Sequence, residues 1–246
     1  MVTFQIESWS AMAPGLETTE AWKRWLQHPQ AVHDPLGKVP LKQIPPMLRR
    51  RFSTLGKCAV GAALPLLDEA EAMPSIFASR HGDTALTLSL LEDMGRDEPM
   101  SPTGFSLAVH NAVSGLFSIA RKDLSEVTSI AAMEGLVVQT LLEAVGQLQE
   151  SNRVLCVIYD VPLPDLYRRY SDGDSFPYAI AMIVSRTEGE AYSLMQCEPG
   201  EQVQCSALPV SLDSEPLRFV GLLADTASEM ASEVNGVTWR IAKVSL

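Results

Sequence analysis

Ser79, Arg80, His81 and Asp83 stand close together in "SRHGDT", offering a hydroxyl, a cation, an imidazole and a carboxylate. At the carboxyl end of a strand, where α/β enzymes hold reacting groups, such a set suits thioester hydrolysis or acyl transfer. The same residues serve structure equally well, because Gly82 allows a bend and Asp83 can cap the helix that follows. The other polar candidates are thinner. His28, His33, His81 and His110 are scattered, and none is spaced from another His or Cys as a zinc site requires, so no metal is expected. There is no GxSxG elbow, no Walker loop and no GxGxxG. "SDGDS", 171–175, lacks the further ligands of a calcium loop and reads as a turn.

Arg49, Arg50 and Arg51 in "LRRR" set three cations near the start of a helix, where the macrodipole gives them no help. They suit a solvated face with internal ion pairs, or a partner carrying negative charge. His110 and Asn111 open an otherwise apolar helix as a cap and a hydrogen-bonded turn. In "SEVTSIAAMEGLVVQTLLEA", 125–144, an apolar strand runs through a short turn into a largely apolar helix. A strand end meeting a helix amino terminus is a common place for a nucleophile or a bound anion, yet the turn offers only Ile130, Ala131 and Ala132.

The elements that must position these residues follow from patterning. "VTFQIESWSAM" alternates as a first strand, and "PGLETTEAWKRWLQ" reads as turn, cap and amphipathic helix with Trp22 and Trp25 towards the core. The proline-rich stretch 31–46 is a long loop. A closely packing helix follows from Met47, interrupted at Pro65. "PSIFASRHGD" is a short strand, "DTALTLSLLEDMG" a helix, "DEPMSPTGFS" a loop, "VHNAVSGLFSIARK" a helix, "SEVTSIA" a strand and "GLVVQTLLEAVGQLQE" a helix buried on more than one side. "RVLCVIYDV" is a continuous apolar strand fit for the sheet centre. "PYAIAMIVSR" and "AYSLMQCE" read as an edge hairpin joined by "TEGE". A helix through "RFVGLLADTASEM" and a last strand "VTWRIAKV" close the chain. The alternation of strand and helix predicts a parallel sheet.

Composition bounds the rest. The 246 residues, 46% hydrophobic and 20% charged, can bury a sizeable core. Thirty acidic against nineteen basic side chains give a net charge of -11, which opposes a general role on nucleic acid. Cys58, Cys156, Cys197 and Cys205 contain no CxxC pair and read as reduced cysteines, two of them buried. With no basic leader and no uninterrupted apolar run of ~18 residues, a cytoplasmic protein without membrane insertion is expected.

The run "SPTGFSLAVHNAVSGLFSIARKDLSEVTSIAAMEG", 101–135, resembles the segment of β-ketoacyl synthases that leads to the nucleophile. A Ser-Pro loop, a helix ending in a Ser-Ile pair and a strand delivering a "TACAAG"-type turn follow one another there. The resemblance extends over about Val2 to Glu198, and is closer to the chain length factors found beside condensing enzymes in bacterial aryl polyene pathways. It implies one domain over 1–246, with a core of about 2–198 and a C-terminal extension of about 199–246. The implied fold is α/β: a single thiolase-like half with a five-stranded, mixed, mostly parallel sheet, helices on both faces and a short helix–strand extension.

By that resemblance Ile130 falls where the family carries its cysteine, and a register shifted by one puts Ser129 or Ala131 there. The family's second half, with its His pair and lysine, has no counterpart in a sequence that spans about one half and a tail. Decarboxylative condensation needs a thiolate and oxyanion donors, which Ile130 cannot supply. A catalytically silent subunit is therefore expected, pairing with a full-length β-ketoacyl synthase, meeting acyl carrier protein indirectly and requiring no cofactor. The strand Glu126, Val127, Thr128, Ser129 and Ile130 is implied as the interface, with Val109, His110, Ala112, Val113, Leu116 and Phe117 towards an acyl tunnel or packed within the chain. Arg49, Arg50 and Arg51 are candidate carrier-protein contacts. The alternatives are a small thioester-processing enzyme using "SRHGDT", or a homodimeric acyl-binding module.

Overall fold

The computed structural model describes residues 1–33, 35–69, 71–170, 176–198, 201, 203, 208–209 and 212–244. "SDGDS" and Cys205 lie outside these. The strands are β1 (Val2–Met12), β2 (Ser75–Ala78), β3 (Val127–Ile130), β4 (Arg153–Asp160), β5 (Tyr178–Ser185), β6 (Glu190–Gln196), β7 (Glu229–Val234) and β8 (Val237–Lys243). The helices are α1 (Thr19–Gln27), α2 (Pro46–Arg49), α3 (Thr54–Ala63), α4 (Thr84–Gly95), α5 (Pro102–Leu107), α6 (Ala112–Arg121), α7 (Leu136–Gln147), α8 (Asp165–Arg168) and α9 (Glu215–Leu223).

All eight strands form one sheet in the order β3-β2-β4-β5-β1-β6-β8-β7. The expected class, α/β with a mixed sheet, is observed; the expected five strands and mostly parallel pairing are not. Only β2 with β3 and β2 with β4 run parallel, and every other neighbouring pair is antiparallel. The reading fails at β5 and β6, which are consecutive but unpaired because β1 lies between them. Every residue of β5 is buried, so it takes a neighbour on each side, β4 and β1. Gly189, with φ of 112°, lets the intervening turn pass β1: a Cβ there would stand 2.2 Å from the carbonyl oxygen of Ile6.

The C-terminal segment differs as well. α9 stops at Leu223, and 229–234 form a strand rather than the end of a helix. β7 and β8 make a hairpin over Asn235-Gly236, both with positive φ, and β8 joins the sheet on β6. The Asn-Gly pair between two half-apolar runs was the local signal for this turn. α5 also forms inside the expected loop, with Ser101 Oγ accepting from Gly104 N at 3.1 Å. The expected helix from Met47 is broken: α2 is a single turn, and Ser53 caps a separate α3.

Period-two alternation divides the core. Val154, Cys156 and Ile158 of β4 face α1, α7 and α9, whereas Leu155, Val157 and Tyr159 face α3 and α6. Trp22 and Trp25 are buried in the first of these cores, as expected, and β4 is central. Among the described residues no helix is long and apolar enough to cross a membrane, and no cluster of His, Cys, Asp and Glu could hold a metal.

Candidate functional site

β3 is an edge strand. It pairs in register with β2 from Ser75↔Val127 to Ala78↔Ile130, the ladder being extended by Ser75 N to Glu126 O at 2.9 Å. Its side chains alternate as a strand demands. Ser129 Oγ meets Ser114 Oγ of α6 at 3.0 Å, and Thr128 Oγ1 accepts from Gln147 Nε2 of α7 at 3.0 Å. Among the described residues no strand pairs with the outer side of β3, so its peptide groups there present a free edge. Around that edge large apolar side chains are exposed, Val127 at 37%, Ile119 of α6 at 62% and Leu124 at 98%, beside the exposed Lys122 and Glu126.

α6 divides the expected tunnel residues. Val113, Leu116 and Phe117 are buried in this chain's own core with Phe77, and so pack inward rather than lining an open surface. The reason is helical periodicity, which turns them towards α3 and β3 while Ile119 and Gly115 face out. Val109 is exposed, Ala112 half-buried, and His110 sits before the helix with Nε2 2.9 Å from the carbonyl oxygen of Ser79.

Between β3 and α7 lies the turn 131–135. Ile130 is the last ladder residue, its carbonyl accepting from Ser79 N at 3.1 Å, and its side chain packs partly into the core. Ala131 is the first residue beyond the sheet and is exposed. An open groove of about 570 Å3 runs over Ile130, Ala131, Ala132, Gln139, Leu142 and Glu143. No cysteine occurs between Glu126 and Leu148. The thiols of Cys58 in α3 and Cys156 in β4 are fully buried, and burial pushes both far above the usual thiol range.

The amino terminus of α7 is already occupied from within the chain. Glu215, at the start of α9, accepts from Val137 N at 3.2 Å and Val138 N at 3.4 Å, and Ser232 Oγ of β7 donates to it at 2.7 Å. Burial raises the Glu215 carboxyl above its ordinary range, against these three bonds and nearby Arg218, all of which favour the charge. Gly135 has φ of 62°, and a Cβ there would lie 2.2 Å from Val234 Cγ2, so the β7–β8 hairpin closes directly on the turn. Beside it a cavity of about 590 Å3 is bordered by Arg80, Gly135, Glu215, Arg218 and Ser232. Two backbone N–H groups of the first turn of α7 are thus spent on a carboxylate. Neither Glu215 nor Ser232 carried a sequence signal, because their partners lie far away along the chain.

"SRHGDT" forms a structural knot. Ser79, fully buried, donates to Asp160 Oδ1 at 2.8 Å and accepts from Gly82 N at 2.8 Å. Asp160, 1% exposed at the end of β4, also accepts from Arg80 N and Nε at 3.1 to 3.3 Å and from the Tyr178 hydroxyl at 3.3 Å. Asp83 Oδ1 accepts from Leu86 N at 3.1 Å and caps α4, as its position predicts. His110 addresses the carbonyl of Ser79 and not its hydroxyl, so no serine–base pair forms there. Asp160 was missed in sequence reading, although a lone acid closing the apolar run "VLCVIYD" was its signal.

The arginines of "LRRR" separate. Arg49 turns back to donate to Ile44 O at 2.9 Å, while Arg50 and Arg51 are exposed. With α7, β3 and the flanking turn in place, the family can be read. A model of the β-ketoacyl synthase N-terminal domain matches residues 22–240. The chain belongs to the β-ketoacyl synthase N-terminal-domain family. Among solved structures of this fold, the complex of a ketosynthase with its chain length factor from Xenorhabdus doucetiae contains a chain that is 27% identical. That match has a TM-score of 0.81 over 98% of this chain and 100% of the other. The ishigamide ketosynthase/chain length factor matches at 11% identity and a TM-score of 0.63, over 79% of this chain and 68% of that one, a likeness of fold. A type II ketosynthase bound to its acyl-carrier protein matches at 14% identity and 0.55, over 75% and 63%. No curated protein sequence matches at a comparable level. A thiolase-like synthase fold thus carries, in this member, no cysteine on the β3–α7 turn.

Proposed function

We propose that this chain is a catalytically silent, chain-length-factor-like subunit that pairs with a full-length β-ketoacyl synthase. It stabilises that enzyme and helps shape the tunnel for a growing acyl or polyene chain, in aryl polyene or related polyketide and fatty-acid-type synthesis. The observation that carries this reading is the pairing of an open β3 edge bearing exposed apolar side chains with a β3–α7 turn two of whose helix donors are taken by Glu215. A condensing enzyme needs a thiolate at that turn and free donors for the oxyanion. No thiolate is supplied here, whichever of Ser129, Ile130 or Ala131 is aligned with the nucleophile, and Val137 N and Val138 N are engaged by Glu215. What the turn retains is the frame that binds.

The contact surface in this reading consists of the β3 edge, from Glu126 to Ile130, with Val109, Ala112 and Ile119 beside it. Val113, Leu116 and Phe117 support α6 from behind. Arg50 and Arg51, exposed and unpaired among the described residues, are the contacts offered to an acidic carrier protein. A thioester-processing enzyme built on "SRHGDT" is disfavoured because the Ser79 hydroxyl is buried and held by Asp160.

The test is co-expression with a full-length β-ketoacyl synthase from the same source, followed by size-exclusion chromatography with light scattering and an assay of condensation. A stable heteromer is expected, with synthase yield or product length falling when this subunit is omitted. A homodimer beside a fully active lone synthase would overturn the reading. So would thioester turnover by this chain alone that Ser79→Ala abolishes.

A further inference from the structure

A pocket of about 420 Å3 lies between the loop 36–42 and the start of α3, sharing no residue with the β3 edge or the β3–α7 turn. Four of the chain's nineteen cations line it: Lys38, Lys42, Arg49 and Lys57. Among the described residues none of those lining it is acidic, although Glu17 Oε1 stands 4.0 Å from where a Cβ of Gly37 would lie and the protein as a whole carries a net charge of -11. Its walls are apolar, from Val39, which packs on Gly61 of α3, and Leu41, which is 2% exposed.

Like Arg50 and Arg51, and unlike several cations elsewhere, these meet no acid among the described residues. Elsewhere Lys23 meets Asp225, Arg153 meets Glu7, Arg240 meets Glu201 and Lys243 meets Glu190. Among the described residues Lys38, Lys42 and Lys57 make no ion pair, and Arg49, tied to Ile44 O through Nη2, holds a buried Nε without an acceptor. A buried donor left unmet is costly, and like charges gathered round one opening repel. An anion seated among them would relieve both.

We propose that this pocket binds a small amphiphilic anion, a phosphate or carboxylate head on an aliphatic or aromatic body. The head meets Lys42, Arg49 and Lys57, and the body lies on Val39 and Leu41. The volume is that of a small-molecule site, where apolar walls and a few convergent polar groups divide affinity from orientation. An acidic protein surface, by contrast, would meet the exposed Arg50 and Arg51 rather than enter this pocket.

The experiment is isothermal titration calorimetry of the full chain with three probes: decyl phosphate below its micelle concentration, inorganic phosphate and decanol. Saturable one-to-one binding of decyl phosphate is expected, at least about tenfold tighter than either half of the molecule. Lys42→Ala and Lys57→Ala should each weaken it roughly tenfold, the loss of one charge-assisted contact. Leu124→Asp, on the opposite functional surface, should leave it unchanged. Thermal melting checks that both lysine variants fold. Equal affinity in the lysine variants, or inorganic phosphate binding as tightly as decyl phosphate, overturns the proposal. So does an absence of decyl phosphate binding, including the case in which only an acidic carrier protein binds and does so through Arg50 and Arg51.

Discussion

At one end of the sheet β3 is four residues long, pairs only with β2 and is flanked by Ile119, Leu124 and Val127. At the other end β7 pairs only with β8, and its surroundings are ionic. Arg240 meets Glu201 at 3.1 Å and Glu229 at 3.9 Å, and Lys243 bridges Glu190 at 2.8 Å and Asp225. Both are exposed sheet edges and both would template association if left bare. Near β7 these charges belong mainly to β8 and β6, with Glu229 on β7 itself. The β3 edge carries exposed apolar side chains with the exposed Glu126 and Lys122 beside them, a finish that suits a bound partner in the proposed reading. The difference is one of surface chemistry: charge gathers near one end of the sheet and exposed apolar side chains near the other.

The comparison breaks most sharply at the β3 edge. Ile119→Asp combined with Leu124→Asp should weaken pairing with the synthase at least ~30-fold, the loss of about 2 kcal/mol typical of a hot spot. Because both side chains are solvent-facing, each change should move the stability of the isolated chain by no more than about 0.5 kcal/mol. Affinity from biolayer interferometry, set beside urea unfolding, reads both numbers. Unaltered pairing would remove this surface from the interface.

The covered edge is tested through Glu215, which lies beneath the β7–β8 hairpin. Its folded pKa is raised by burial, so the neutral acid is the form that folding favours. That contribution is fully present below the unfolded carboxylate range, near ~4.3, and is lost as pH rises through the folded value. Relative to Glu215→Gln, which does not titrate, the native chain should therefore gain stability as pH is lowered from 8 to 4. Urea midpoints across that range give the difference directly, and a flat difference would contradict a Glu215 carboxyl whose pKa is raised by burial at the α7 terminus. The smallest effect is expected at the rim of the same edge. Lys243→Met should cost no more than about 1 kcal/mol, since its partners Glu190 and Asp225 are half or more exposed and water screens the pair; thermal melting measures it.

How far the sequence could be read depended on how local each cause was. β4 was legible from its unbroken apolar run, the cap at Asp83 from its place before α4, and α7 from apolar residues on several faces. Ile130 at the turn was legible because absence of a thiol is a fact of sequence. The β5–β6 reading failed for an equally physical reason: hairpin rules compare neighbours, and the strand that separates this pair comes from the far amino terminus. The residues of α6 expected to face a tunnel were legible as a helix but not as a face. Only packing against Phe77 and α3 decided that Phe117 turns inward and Ile119 outward.

By itself, then, the sequence determined the alternation that makes an α/β layer, the acidic balance and the lack of a thiol on the β3–α7 turn. These are properties of residue type and short-range spacing. Tertiary structure alone decided that the turn's helix donors are capped by Glu215, that Asp160 immobilises Ser79, and that β3 is an edge while β5 is not. Each joins residues widely separated along the chain, and no local propensity fixes which distant group fills a given valence; burial and hydrogen-bond satisfaction across the whole fold do.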